Sequence, residues 1–218
     1  MKMYIFRATY VMFSILLMCS TLTFGQKFEP IQLPKPEMDG GRPLMQVLKD
    51  RATSRSFSDK MLTDQDLSNL LWAAFGVNRP ESGLRTAPSA VNWQEIDIYV
   101  SMANGLFLYD ARAHKLNPVL KKDIRAATGA QEFVKDAPVN LVYVADFSRM
   151  GDRDMEAKKF YSAADAGFIS QNVYLYCASE GLATVVRGWV DKPALEKVMK
   201  LKPDQKVILA QTVGYPGE

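Results

Sequence analysis

The chain is predicted to be an α+β domain, a mixed β-sheet flanked by helices. Three observations lead there. Apolar residues recur at three- and four-residue steps in both halves of the chain, the period of a half-buried helix. Two alternating apolar runs flank Asn104-Gly105, a strong hairpin signal. In the second half, short β-branched runs are interleaved with helical patterns, the order expected when helices cover a sheet. The 218 residues are 48% hydrophobic and 23% charged, enough apolar material for a real core and too ordinary a balance for a disordered chain.

The first 25 residues read as a removable export signal. Lys2 and Arg7 make a basic start, Tyr10 to Met18 is apolar, and Thr23-Phe24-Gly25 offers a cleavage point before Gln26. The protein is therefore expected outside the cytoplasm, periplasmic or secreted. The apolar run falls short of the roughly 20 residues of a membrane helix, so no retained span is expected. Lipid anchoring through Cys19 is the lesser alternative, because Met18 stands where a small residue should precede a lipidated cysteine. Removal of this segment takes away two bases and no acid, so the net charge falls from +3 to +1. That balance favours neither nucleic acid nor an anionic membrane.

Residues 26–42 carry several prolines and glycines and read as an extended arm, and residues 43–218 form the domain. Pro43 suits a first helical position, and Leu44, Val47 and Leu48 give one apolar face to a helix ending near Ala52. Thr63 and Asp66 have the spacing of a capping box, Leu67, Leu70, Leu71 and Ala74 continue that helix, and Gly76 ends it. Residues 96–100 and 106–109 alternate as strands around a turn in which Asn104 and Gly105 both take positive φ. A third helix is predicted over 123–135, leading through Pro138 to a strand at 139–144 buried on both faces. The longest helical pattern runs through Phe160, Ala164, Phe168, Gln171, Leu175, Ala178 and Leu182. Ala163, Ala164, Ala166 and Gly167 keep its first half slim, so a second helix could approach closely. After a break near Gly181 come a strand at 184–186, a helix from Lys192-Pro193 to Lys200, and a last strand at 207–213.

Scarcity limits the chemistry. Beyond the export signal Cys177 is the one cysteine, so no intrachain disulfide is expected, and its apolar helical setting suits a buried inert thiol. His114 is the sole histidine, which excludes histidine-rich zinc sites and hangs any Ser-His-Asp triad on one exposed-looking loop residue. No metal and no nucleophile is expected.

Three stretches suit a ligand. Within residues 51–57, Arg51, Thr53, Ser54, Arg55 and Ser56 could surround one phosphate with guanidinium and hydroxyl donors. The plainer reading is a solvated helix end whose cations favour the C-terminal dipole. Within residues 85–94, Pro88, Ser89, Ala90, Asn92 and Gln94 make a stiff loop with donors pointing outward and amides suited to a heterocycle edge, or else an ordinary connection. Gly188 follows a short β-branched run and would let a backbone N–H approach a flat ligand, though alone it could be a turn.

In this order the three stretches resemble the nitroreductase family of flavoenzymes. Arg51, Thr53, Arg55 and Phe57 match its R-x-[ST]-x-[RK]-x-[FY] signature, and Pro88, Ser89, Ala90, Asn92 and Gln94 match its P-S-[SA]-x-N-x-Q loop. Arg85-Thr86 is similar to the R-T-x-P-S-A form of the azoline-forming-dehydrogenase branch. Asp165, Gly167, Gln171 and Asn172 on the long helix, G-L-x-T-V at 181–185, Gly188, Asp191 and V-G-Y-P at 213–216 follow the family in order.

The resemblance implies a homodimer with a long central helix and one FMN in each of two clefts built from both subunits. It places Arg51 and Thr53 at the phosphate, Arg55 at the pyrimidine edge, and Pro88, Ser89 and Ala90 on the other side with Asn92 or Gln94 nearby. The Gly188 amide meets flavin N5, with Arg187 beside it. The implied activity is two-electron ping-pong transfer to or from a small nitro, quinone or enone compound. A nicotinamide is the reductant in most relatives; it is scarce outside the cytoplasm, which leaves the donor open. Two alternatives are a flavin-binding or scaffold module without turnover, and a dehydrogenase or oxidase that modifies a peptide or small metabolite. Three departures stand out. Val91-Asn92-Trp93 replaces the G-x-L-Y-P of the azoline branch. Arg187 stands where many members carry an acid, and reads either as added positive charge near N5 or as a solvent-facing partner of Asp191. Gly217-Glu218 follows Pro216 in place of a basic pair, so that phosphate clamp is missing or replaced. Trp93 and Trp189 are read as core residues rather than as covers for the open flavin face.

Overall fold

The computed structural model describes residues 28–217; the expected export signal and Cys19 lie outside the described residues. In chain order the elements are β1 (Ile31–Gln32), α1 (Leu44–Asp50), α2 (Asp64–Phe75), β2 (Val77–Arg79), β3 (Leu84–Arg85), β4 (Ile96–Met102), β5 (Gly105–Asp110), β6 (Lys115–Leu120), α3 (Phe133–Asp136), β7 (Val139–Asp146), α4 (Met155–Glu180), β8 (Ala183–Arg187), α5 (Lys192–Met199) and β9 (Gln205–Gly214). Seven strands form one sheet in the order β1-β6-β5-β4-β7-β9-β8, and β2 and β3 form a separate small hairpin.

The α+β class holds, but the sheet is not mixed: every described pairing in it is antiparallel. The connection from β7 through α4 to β8 explains why. Both strands run antiparallel to β9, hence parallel to each other, as a helical crossover requires. They are not neighbours, because β9 enters the gap between them and replaces one potential parallel pairing by two antiparallel ones.

β7 is buried on both faces as its composition predicts. Leu141, Tyr143 and Ala145 point into the layer under α2 and α4, while Val142 and Val144 point into a smaller layer that contains Leu195 and Met199 of α5. The Thr63–Asp66 capping box forms, with reciprocal bonds between side chains and backbone, and Gly76 caps the other end of α2. Asp154 caps the start of α4 and Gly181, at φ 70°, closes it.

Other local expectations shift. Pro43 precedes α1 as its cap instead of opening it, and of its expected apolar face only Val47 is buried, while Leu44 and Leu48 are exposed. The hairpin turn moves one residue back: Met102 pairs with Gly105, so Ala103 and Asn104 are the turn and Gly105 opens β5 at φ 150°. Glycine is needed there because a Cβ would lie 2.5 Å from the Phe28 ring and 2.8 Å from Leu120 O. The helix predicted over 123–135 breaks into a 3-10 turn at Arg125–Thr128 and the single turn α3. Extended Gly129 separates the two pieces, and the Arg187 guanidinium fills the space beside it.

Candidate functional site

Residues 51–57 leave α1 and run beside β8. Ser54 N donates to Thr184 O at 3.0 Å, and further on Ser58 N donates to Tyr215 O and Gly217 N to Ser56 O. Tyr174 of α4 ties this stretch to the strand. Its hydroxyl accepts from Val186 N at 3.0 Å and lies 3.0 Å from Thr53 Oγ1, and the Arg51 guanidinium rests 5.4 Å from its ring centroid. Arg55 is exposed. Gly188, just past the end of β8, is exposed too, and a Cβ built on it would meet only Leu209, at 3.9 Å. Arg51, Thr53 and Gly188 are thus brought to one side of the molecule, with an open approach over Gly188. Sequence reasoning missed Tyr174; its place between Gln171 and Leu175 on the helical stripe was the available signal.

Residues 88–94 are placed elsewhere and built differently. The expected outward donors of this loop turn inward. Ser89 Oγ accepts from Gln94 N at 2.8 Å and donates to Glu95 Oε2 at 3.2 Å, while Ala90 N donates to Asp165 Oδ2 at 2.9 Å. Gln94 holds the loop from its side chain, donating to Gly83 O and Asn92 Oδ1 and accepting from Arg85 Nε. Arg149 donates to Gln94 O at 2.9 Å and forms a two-pronged ion pair with Asp97. Within this frame Val91, Asn92 and Gln94 all adopt left-handed φ, at 52°, 58° and 48°. Such backbone is uncommon for any non-glycine residue and a strong outlier for β-branched valine. Pro88, Val91 and Asn92 are exposed. Glu95 and Asp165, which do the gripping, are 0% and 2% exposed. Burial first, and then the neighbouring Asp165, push the Glu95 carboxyl above the usual carboxylate range.

Arg187 takes neither expected position. Its guanidinium turns under β8 into the interior, donating to Thr128 O at 2.6 Å and Asn140 Oδ1 at 3.0 Å, and its Nε has no partner among the described residues. At 4% exposure it does not line an open cleft, and Asp191 is instead the cap of α5. The side chain follows the buried face of the strand, where Asn140 offers an acceptor and Gly129 leaves room. Burial without a carboxylate lowers its pKa to about 10. Trp189 is 72% exposed, contrary to a core role, and Trp93 is half-buried edge-on to Tyr161.

The rival chemistry finds no support. His114 is pinned, with Nε2 2.7 Å from Ser68 Oγ and Nδ1 2.9 Å from the Tyr109 hydroxyl. Ser68 is wholly buried and donates its hydrogen to Pro34 O, so it cannot serve as a nucleophile. Cys177 is buried and its thiol is pushed up by desolvation, as expected of an inert cysteine. Among the described residues no helix is long and apolar enough to cross a membrane.

Comparison with known proteins agrees with this geometry. A family profile described as the nitroreductase family matches residues 48–215. A candidate nitroreductase of Methanocaldococcus jannaschii is 31% identical over 186 residues, 79% of this chain and 90% of its own. The crystal structure of a candidate nitroreductase from Ralstonia eutropha JMP134 is 43% identical with a TM-score of 0.85, over 89% of this chain and 92% of that one. The NADPH:FMN oxidoreductase of Vibrio harveyi, solved with NAD+, has the same fold at 20% identity and a TM-score of 0.61, over 80% of this chain and 69% of that one.

Proposed function

The chain belongs to the nitroreductase family of oxidoreductases, and from that premise we propose that it is an exported, homodimeric, FMN-dependent enzyme. It passes electrons two at a time to or from a small nitro, quinone or enone compound. The observation that carries this reading is the placement of the two ligand stretches along α4. Residues 51–57 meet that helix at Tyr174, and the 88–94 loop meets it at Asp165. Nine residues of helix separate these anchors, about 13 Å at 1.5 Å per residue. One chain alone does not bring them together. A two-fold axis through the middle of α4 would lay Tyr174 of one subunit beside the partner's Asp165 and form two composite clefts.

The surface of α4 supports such an axis. Phe160 and Phe168 are 67% and 50% exposed, Gly167 has nothing within 4 Å of a Cβ position, and exposed Leu44, Met45 and Leu48 continue the apolar surface onto α1. Apolar area of this kind on a soluble chain marks a partner surface, and small residues between the aromatics let a second helix come close.

The donors suit FMN. Arg51, Thr53 and Arg55 offer charged and hydroxyl groups for its phosphate and ring edge, and the open backbone at Gly188 suits a flat ring. When bound, FMN supplies the hydride chemistry; the chain binds and orients it and needs no nucleophile of its own. Ser89 and Ala90 enter as a preformed wall, since their polar hydrogens are already engaged. Export rests on residues 1–25 and leaves the electron donor open to something other than a nicotinamide. The test is the absorption spectrum of the purified mature protein before and after adding dithionite, with FMN and riboflavin affinities measured side by side. A flavin spectrum that bleaches, with FMN bound more tightly than riboflavin, is expected. A protein that takes up neither flavin overturns the proposal, and one whose bound flavin cannot be reduced is a binding module.

A further inference from the structure

We propose that Glu95 and Asp165 hold a single proton between them, and that this shared proton fixes the 88–94 loop, which makes the two acids positioning residues for the site. The role assigned to them rests on reading that loop as one wall of the cofactor cleft; the proton itself does not.

Both carboxyls are out of water, and among the described residues neither has an ion-pair partner. The charged groups around them are engaged elsewhere. Arg149, from the turn after β7, is bound to Asp97, to Asp146 and to Gln94 O, and the guanidinium of Arg153 lies 5.8 Å from the Trp93 ring centroid. Arg149 is near enough to act on Glu95 through space but makes its ion pair with Asp97, so two ionised carboxylates buried here would still repel each other and forfeit hydration, and such a pair keeps one proton. The bonding pattern leaves one place for it. Glu95 Oε2 accepts from Ser89 and Asp165 Oδ2 accepts from Ala90 N, while Glu95 Oε1 is buried with no hydrogen-bond partner among the described residues, and the two carboxyl groups are close enough to interact. A hydrogen on Oε1 directed at Asp165 satisfies the last polar atom and joins the two grips on the loop into one.

A second feature of the loop gives that proton its importance. Three left-handed residues within four positions persist only where the surroundings over-determine them. Ser89 and Ala90, at the entry to that strained turn, are held by the acid pair. Loss of the proton leaves two buried negative charges behind them and loosens the turn. The sign follows from Glu95 being raised by burial: its contribution is fully present below the ordinary carboxylate range and is lost as pH rises through its elevated value.

The experiment uses the full mature protein and two readouts that need no flavin. Infrared spectra across pH report the carbonyl stretch of a protonated carboxylic acid, and the Trp93 indole resonance, assigned with Trp93→Phe, reports the loop. The protonated-acid band is expected to persist above the pH at which free glutamate ionises and to vanish in Glu95→Gln. The Trp93 signal is expected to titrate with the same midpoint as the band in wild type and to stay flat in Glu95→Gln, which keeps a neutral hydrogen-bonding side chain. In Asp165→Asn, which covers the case of an unstable first variant, the band should titrate at lower pH because the like-charged neighbour is gone. FMN affinity should fall at least tenfold across the wild-type titration and stay level in Glu95→Gln. Absence of the band in wild type, its survival in Glu95→Gln, or an unchanged Trp93 titration in that variant overturns the proposal. A protein with the band but no affinity for flavin would overturn the reading of the cleft and leave the shared proton standing.

Discussion

Residues 51–57 and 88–94 are equal in length and similarly rich in hydroxyl and amide groups, yet the fold uses them in opposite ways. The first is held by one backbone bond to β8 and one to the chain end after β9, keeps Arg55 exposed, and rests Arg51 on an aromatic ring instead of on an acid. The second has left-handed backbone at three positions and polar hydrogens committed to buried acids and neighbouring amides. One segment holds charge in reserve for a ligand; the other has built its shape beforehand. Uncommitted donors add binding energy when an anion arrives, whereas a preformed wall reduces the ordering that binding would otherwise cost. If the two belong to one cleft, they come from different subunits.

The most severe way to break the comparison is to prevent the subunits from meeting. Phe160→Glu combined with Phe168→Glu places charge on the exposed apolar face of α4. Sedimentation should report a monomer, and flavin should be lost with the proposed dimer, because in the proposed cleft neither segment is complete alone. A monomer of the variant that keeps flavin would mean that residues 51–57 suffice.

Arg187→Ala tests the ground beneath the first segment's strand. It takes the guanidinium donor from Thr128 O, leaves Asn140 Oδ1 with the Thr212 hydroxyl alone, and opens a gap in the interior, at a cost of about 3 kcal/mol in urea unfolding. Gly129→Ala should also destabilise, because its Cβ would overlap the guanidinium, and it should become nearly neutral once Arg187 is truncated. Additive losses from the two changes would disprove the pairing. Arg51→Ala, by contrast, should leave stability within about 0.5 kcal/mol, since the side chain is half-buried and has no salt bridge among the described residues. It should weaken FMN, measured by fluorescence titration, by about 1.5–3 kcal/mol, the scale of a charged hydrogen bond.

Much of the architecture was legible because its signals are local. The capping box at Thr63, the two-faced β7, the small residues of α4 and the Asp191-Lys192-Pro193 start of α5 each depend on neighbours in sequence. The misses involve distant partners. Nothing near Gly129 announces that a guanidinium from residue 187 will occupy the space beside it and break a helix. β6 went unread because Pro118 and Lys115 spoil its alternation, although Leu106 to Asp110 of β5 pair with it across one register shift. At the site, motif order pointed to Arg51, Thr53, Ser89 and Gly188. Tyr174 gave no more than its place on a helical stripe and Glu95 gave nothing: a tyrosine on a helix and a glutamate at the head of a strand gain their contacts with Thr53 and Ser89 only from what the fold sets opposite them.

The smallest expected effect gives the sharpest test of the contrast between the two segments. Val91 is 75% exposed, so its side chain contributes little burial, yet its backbone stands at φ 52° and ψ 15°. Left-handed geometry costs an L-residue about 1–2 kcal/mol, and valine is among the least tolerant. Val91→Gly removes that strain and gives back part of the gain, about 0.5–1 kcal/mol, as extra freedom of the unfolded chain. The variant should therefore be more stable by somewhat under 1 kcal/mol in urea unfolding, an unusual outcome for a substitution to glycine. It should also bind FMN less tightly, because the relaxed loop must be ordered on binding. The same replacement at Arg55, in the unstrained segment, carries no backbone relief and should bring no gain in stability. Greater stability with unchanged FMN affinity would detach the strain from the site; lower stability would show that the surroundings of Val91 relieve the strain more fully than its dihedral angles indicate.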